Sequence, residues 1–182
     1  MERIAKFEKV SRGQFTEAWK KNFGADSDAD TVYDRIILPK RATVGSAGYD
    51  FFAPGDFELW PGEQISLLSS SCSSIGEQIT IPTGIRVSMR EGWVLQVFPR
   101  SGLGFKYRLQ LNNTVGIIDS DYYCSDNEGH IFIKLTNDSK TADTVSVKAL
   151  SAFAQGIFTM FGITEDDECS AARNGGFGST SK

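Results

Sequence analysis

From residue 36 onward the chain is written as short alternating runs cut by turn residues, a pattern that favours an all-β fold. DFELWPGEQISL alternates and turns at Pro61-Gly62, and TIPTGIRVSMREGWVLQVF alternates on either side of turns at Pro82-Thr83-Gly84 and Glu91-Gly92. GHIFIKLTNDSK and DTVSVK follow, separated by Asn137-Asp138-Ser139, ahead of a late apolar run, FAQGIFTMFGI. Alternation over a few residues gives a strand with one buried face, and Pro, Gly, Asn and Asp supply the turns. Many such strands at regular intervals, with little helix after residue 35, predict a sandwich or barrel. The chain has 182 residues, enough for one domain with a sizeable core and too few to expect two.

The segment ahead of the strands is different. Residues 11–24 read as a helix, with Ser11 and Gln14 as a capping box and Gly24 as a stop. Phe15, Ala18, Trp19 and Phe23 fall on one face, which predicts docking on the main domain or on a sister subunit. DSDAD, residues 26–30, mimics the opening of a calcium loop, but Thr31 and Ile37 stand where its glycine and bidentate glutamate belong. It reads as a solvated acidic linker. GEQI occurs at residues 62–65 and again at 76–79, with SSSCSS between, so the insert 66–78 reads as a lengthened hairpin or a solvated loop. Serines without a neighbouring base are poor nucleophiles, and no chemistry is assigned to it.

Composition narrows the function classes. Hydrophobic residues make up 40% of the chain, and no segment approaches the ~20 apolar residues of a membrane span. MERIAKFEKV is charged throughout and lacks the apolar stretch of a secretion signal. Cys72, Cys124 and Cys169 are far apart and without metal spacing, so reduced thiols in a cytoplasmic protein are expected. A net charge of −4 argues against nucleic acid as a partner but not against a small anionic ligand.

Four stretches carry groups suited to chemistry. AGYDFFA, residues 47–53, sets the carboxylate of Asp50 among aromatics. PRSGLG, residues 99–104, ends a strand with an arginine, a hydroxyl and two glycines, a combination suited to phosphate oxygens. NTVGIIDSDYY, residues 113–123, sets Asp119 and Asp121 beside two tyrosines, and the chain ends in RNGGFGSTSK, residues 173–182. Singly, these are a paired carboxylate, a turn, a solvated hairpin end and a frayed terminus. Together they supply phosphate grips, a carboxylate for water, flat rings for a base or sugar, and a flexible lid. The single histidine, His130, makes no metal site alone and reads as structural or solvent-facing.

In this order, AGYD, PRSGLG, GIIDSDY, FAQGIF and GGFGST resemble the five motifs of the trimeric dUTP diphosphatase (dUTPase) family, from about residue 38 to the C-terminus. The N-terminal helical segment lies outside the common core, as in a bacterial or bacteriophage branch with such an extension. The resemblance implies a jelly-roll-like β-barrel over residues 36–168, an N-terminal helical extension over 1–35, and a mobile glycine-rich arm over 169–182. It implies a homotrimer with shared active sites that uses Mg²⁺, held mainly by substrate phosphates and water, to cleave dUTP to dUMP and pyrophosphate. That reaction limits uracil in DNA and supplies dUMP for thymidylate synthesis. By matched position, Asp119 would activate the attacking water, and Tyr122 would lie against the deoxyribose and exclude a 2′-hydroxyl. Asn113, Gly116 and Ile118 would read the uracil edge. Ser101 and Gly102 would hold the α/β-phosphate region with Arg100 beside them, Gln155 would contribute from the fourth motif, and Asp50 would support the site from the first. From the arm, Phe177 would stack over uracil, Arg173, Ser179 and Thr180 would reach the γ-phosphate, and Gly178 would also contact substrate.

The chain departs from the pattern in places. YCSDNEG lengthens the hairpin after Tyr122 and leaves Asp121, Tyr123 and Asp126 without assigned roles. LSA, residues 150–152, replaces the usual Gly-acid-Arg, and the arm has one residue fewer than usual after Arg173. The competing readings are a dCTP deaminase of the same superfamily and a phage-type nucleotide-binding module that engages a regulatory protein partner.

Overall fold

The structure, a computed structural model of the chain, describes residues 2–61, 78–139, 141, 143–171 and 173. The serine-rich insert up to residue 77, with Cys72, and the arm residues Phe177, Gly178, Ser179 and Thr180 lie outside them.

The fold is a jelly-roll-like assembly of short antiparallel strands. Its largest sheet has five strands in the order β2 (Lys40–Arg41), β3 (Tyr49–Phe52), β12 (Ala152–Met160), β7 (Trp93–Pro99) and β9 (Gly116–Ile118). A three-stranded sheet runs β5 (Gln78–Pro82), β10 (Phe132–Asn137) and β8 (Leu109–Leu111). β4 (Phe57–Leu59) pairs with β11 (Val145–Val147), and β1 (Ala5–Lys9) with β6 (Ile85–Met89). Alternation fixes which residues point inward. Leu95 and Val97 of β7, Ile133 and Leu135 of β10, and Phe153 of β12 join Phe51, Leu59 and Ile81 in one buried core. Each such side chain contributes roughly 1.5–3 kcal/mol on burial, which holds strands as short as three residues in place.

The N-terminal helix forms as its caps dictate. α1 spans Arg12–Phe23, Ser11 Oγ accepts from the Gln14 N–H at 3.2 Å, and Gly24 follows its last residue with φ 96°. Of the two docking surfaces open to it, the helix takes its own barrel. Phe15 and Trp19 are buried in the common core, and the aromatic face stacks on itself from Phe15 through Trp19 to Phe23.

Three elements depart from the sequence reading. The charged stretch before α1 contains β1, whose Phe7 packs on Tyr49, Phe51 and Phe158 while Lys6 and Glu8 pair with each other. One inward aromatic is too short an apolar pattern to mark a strand. DSDAD does not remain a solvated linker throughout, because Asp28 caps α2 (Ala29–Arg35), accepting from the Thr31 N–H at 3.1 Å. After β7, the PRSGLG stretch continues as a short helix, α3 (Ser101–Tyr107), despite its two glycines.

Candidate active site

The first group of candidate residues is placed by strand register. Gln155 of β12 stands opposite Asp50 of β3 on one side and Phe98 of β7 on the other, so one row crosses three neighbouring strands. Arg100 follows directly on β7, and its Nε lies 3.4 Å from Asp50 Oδ1. The Gln155 Nε2 amide donates to the Pro99 carbonyl at 3.3 Å. A Cβ at Gly48 would sit 2.8 Å from Gln155 Oε1, so the glycine of AGYD leaves room for that side chain. Arg100, Ser101 and Gln155 line an open cleft of about 540 Å³ that also has Phe105 on its wall, 91% exposed. Gly102 lies exposed on α3 beside it. The cleft therefore presents a guanidinium, a hydroxyl and an amide to one volume, which is the equipment for holding anionic oxygens.

The second group surrounds the turn between β8 and β9. Asn113, Gly116 and Ile118 line a cavity of about 360 Å³, with Asn127, Phe132 and Lys134 on its other walls. Its lining is a mixture of apolar surface and amide groups, suited to a flat ring with polar edges. Asp119 leaves the end of β9 with extended backbone, and a 3₁₀ turn, Ser120–Cys124, carries Asp121 and Tyr122. Asp119 and Asp121 are about half exposed, and both accept from Arg173 Nη1, at 2.8 Å and 3.0 Å.

Tyr122 is 2% exposed. Its hydroxyl donates to the His130 carbonyl at 2.7 Å and accepts from Asn127 Nδ2 at 2.8 Å. The Arg173 guanidinium lies over its ring, 5.1 Å from the centroid. Burial pushes the Tyr122 phenol above its ordinary value, partly offset by the Asn127 hydrogen bond. Burial also works against the charge on Arg173, but its bonds to Asp119 and Asp121 outweigh that, and its affinity for the proton rises. Arg173 thus occupies the face of Tyr122 and the oxygens of Asp119 together.

His130 is fully buried rather than solvent-facing. Its Nε2 accepts the Gly84 N–H at 2.9 Å, and burial lowers its pKa to about 4, with Glu128 partly opposing. Asn127, Phe132 and Lys134 were not singled out from the sequence. They come to the cavity from the far end of the lengthened hairpin and from β10, and no local pattern marks them.

The two groups line different volumes. Among the described residues, the cleft and the cavity share no lining residue. Also among the described residues, no three of His, Cys, Asp and Glu gather as a metal site, and no helix is long and apolar enough to cross a membrane.

Comparison with known proteins gives one consistent family. The dUTPase family model matches residues 34–181. A deoxyuridine 5′-triphosphate nucleotidohydrolase of Lactococcus lactis is 40% identical over 148 residues, covering 80% of this chain and 88% of the relative. Another, from Paraburkholderia xenovorans, is 36% identical over 154 residues, covering 81% and 91%. Among solved structures, the dUTPase of Streptococcus mutans has a TM-score of 0.60 at 31% identity, covering 87% of this chain and 98% of its own. A mutant dUTPase from phage phi11 of S. aureus, which coordinates a structural Mg(II) ion, shares the fold with a TM-score of 0.59 at 18% identity, covering 93% and 98%.

Proposed function

The chain belongs to the dUTPase family, and we propose that Asp119 is the carboxylate that orients and activates water in its reaction, hydrolysis of dUTP to dUMP and pyrophosphate. The observation that carries this assignment is the position of Asp119. It emerges from β9 immediately after Gly116 and Ile118 on the wall of the 360 Å³ cavity and stands half exposed next to Tyr122. With the base in the cavity and the sugar on the Tyr122 ring, the α-phosphate comes within reach of a water held by that carboxylate. Attack in line with the leaving pyrophosphate needs position and charge neutralisation more than many catalytic side chains.

The sugar and the Arg173 guanidinium compete for one face of Tyr122. Substrate binding therefore turns Arg173 from the two aspartates toward the triphosphate, whose greater charge makes it the better partner. Residues 169–182 act as the arm that closes over a site, with Phe177 on the base and Gly178, Ser179 and Thr180 at the phosphates. The extension 1–35 and the barrel 36–168 form the body on which the arm moves.

That the two groups line different volumes, with no lining residue in common among the described residues, supports a site completed between copies. Arg100, Ser101, Gly102 and Gln155 of one chain, with Asp50 in support, grip the phosphates of a nucleotide seated in another chain's cavity. A homotrimer satisfies this by cyclic symmetry. Phe105, Met160 and Ile163 are each more than 70% exposed and supply apolar surface for such contacts. Mg²⁺ fits as a companion of the triphosphate, since the hard oxygens of Asp119 and Asp121 suit its water ligands and the phosphates supply the remainder. When bound, it neutralises phosphate charge. The reading sets the enzyme in the cytoplasm, where exposed thiols such as Cys124 and Cys169 stay reduced.

The test is pyrophosphate release from dUTP, dCTP, dTTP and UTP with Mg²⁺, with Asp119→Asn in parallel. Release from dUTP alone, abolished in the variant, is expected. Undiminished release by Asp119→Asn would remove the carboxylate assignment, and ammonia from dCTP would place the chain with the deaminases.

A further inference from the structure

The lengthened hairpin after Tyr122 is tied to the N-terminal segment by bonds that span most of the sequence. Glu128 spends both carboxylate oxygens on the residue that caps α1: Ser11 N–H donates to Oε2 at 2.7 Å, and Ser11 Oγ to Oε1 at 2.6 Å. These bonds hold the Glu128 carboxyl below its usual range. Tyr123 donates its hydroxyl to Glu8 of β1 at 2.6 Å and accepts from Arg86 of β6, whose guanidinium lies 3.9 Å over its ring. On the inner side, the Phe15 ring of α1 meets His130, with centroids 6.3 Å apart. The residues 123–130 are thus fastened to β1, to the cap of α1 and to its aromatic face.

Within the hairpin the same residues hold Tyr122. Asn127 Nδ2 donates to Tyr122 Oη at 2.8 Å, and the single Ser125 hydroxyl proton is shared between the Tyr122 carbonyl at 2.7 Å and Asn127 Oδ1 at 2.8 Å, which ties the amide to the same turn. With the His130 carbonyl accepting its hydrogen bond and Asn127 donating to it, the phenol has its donor and an acceptor site engaged, and ring movement breaks bonds at both. The turn is drawn tight around this arrangement. Glu128 has φ 59° and Gly129 φ 70°, and a Cβ on Gly129 would lie 2.8 Å from the Tyr123 Cα and 2.9 Å from the Tyr122 carbonyl oxygen. A non-glycine residue in the left-handed region persists where its surroundings over-determine it, and here the two bonds to Ser11 supply that constraint.

We propose that residues 123–130 and the N-terminal segment form one brace that fixes the Tyr122 ring, with Asn127 as a positioning residue that sets discrimination between deoxyribose and ribose. The inference rests on the reading that Tyr122 faces the sugar. Exclusion of one hydroxyl by contact works only if the excluding surface does not yield, because a shift of a fraction of an ångström admits the extra oxygen. The buried, doubly bonded phenol makes that surface rigid, and Asn127 lines the nucleotide cavity while holding it. The N-terminal extension thereby acts on substrate choice without touching substrate.

The experiment compares kcat/KM for dUTP and for UTP in the full chain and in five variants: Asn127→Ala, Tyr122→Phe, Glu128→Ala, Glu128→Gln and Tyr122→Leu. The readout is the ratio of the two values, which a loss of folded protein leaves unchanged because it scales both substrates equally. Asn127→Ala, which removes one of the two bonds at the hydroxyl, and Tyr122→Phe, which keeps the ring but removes both bonds, are expected to lower the ratio by up to about tenfold, mainly through a gain on UTP. Glu128→Ala lowers it about threefold, and Glu128→Gln, which retains an acceptor for Ser11, stays nearer the parent. Tyr122→Leu lowers it most. If Tyr122→Leu lowers the ratio while the other four variants keep the parent value, the brace is overturned and the sugar reading stands. If Tyr122→Leu leaves the ratio unchanged, the sugar reading falls and the proposal falls with it.

Discussion

Asp50, Arg100 and Gln155 stand on or directly beyond three neighbouring strands of one sheet, whereas Asp119 and Tyr122 stand beyond the last strand of that sheet, in a loop propped by residues such as Ser11, 117 positions away from Glu128. The phosphate half is set by hydrogen-bond register, which places Gln155 opposite Asp50 wherever the sheet forms. In the other half Gly116 and Ile118 are also placed by pairing with β7, but the loop that carries Asp119 and Tyr122 is held by side-chain bonds between segments that have no pairing rule to bring them together. The first half should therefore tolerate distant substitutions, and the second should transmit them. On the proposed assignment of Asp119 and Tyr122, chemistry and selectivity both fall on the loop with the least local support.

The largest expected effect tests where the chemistry lies. Asp119→Asn should reduce turnover by about 10³-fold with dUTP still bound, as measured by pyrophosphate release and by calorimetric titration. Retained turnover would shift the chemistry out of the hairpin half.

Next comes the acid sensitivity of the brace. Unfolded, His130 takes its proton near pH 6.5, whereas in the fold burial lowers that value to about 4, with Glu128 partly opposing. Between those values the unfolded chain binds the proton and the folded chain does not, so this stabilisation is complete above pH 6.5 and is lost as the pH falls toward 4. The loss is on the order of 3 kcal/mol. Urea midpoints measured across that window should fall with pH, and His130→Gln, which keeps an acceptor for the Gly84 N–H, should flatten the curve.

A smaller effect is expected in the register-built half. Arg100→Ala should lower kcat/KM for dUTP about tenfold by removing a phosphate contact, and Asp50→Asn less, because Asp50 supports Arg100. The ratio of dUTP to UTP should not change in either, in contrast to the Asn127 variant. The smallest effect is at the cap of α1. Ser11→Ala should cost about 1 kcal/mol, or about 3 °C in Tm, through the lost cap and the lost bond to Glu128.

The same contrast explains how much was legible in the sequence. The strands β4, β6, β7, β10 and β12 follow the alternation and turn residues, and α1 begins and ends where Ser11 and Gly24 place it. Four of the stretches single out Asp50, Arg100, Gln155, Asn113 and Asp119 as candidates because each sits in a compact local pattern. What was not legible depends on partners far away. β1 has one inward aromatic and needs β6 to become a strand. Burial of His130 and the bonds from Tyr123 and Glu128 to the N-terminal segment arise only when segments more than a hundred residues apart meet. A residue's type suggested chemistry, whereas its support came from the fold.

The central claim, that the two halves of one site come from different copies of the chain, is tested most directly by complementation. Asp119→Asn chains, defective in the nucleoside half, are mixed and co-refolded with Arg100→Ala/Ser101→Ala chains, defective in the phosphate half, and pyrophosphate release from dUTP is measured. With sites shared around a cyclic assembly, random mixing in equal amounts makes about a quarter of the sites wholly intact, and activity recovers to about a quarter of the parent value. Activity that stays at the level of the two inactive variants would mean that each chain builds its site from its own halves, and would contradict the account.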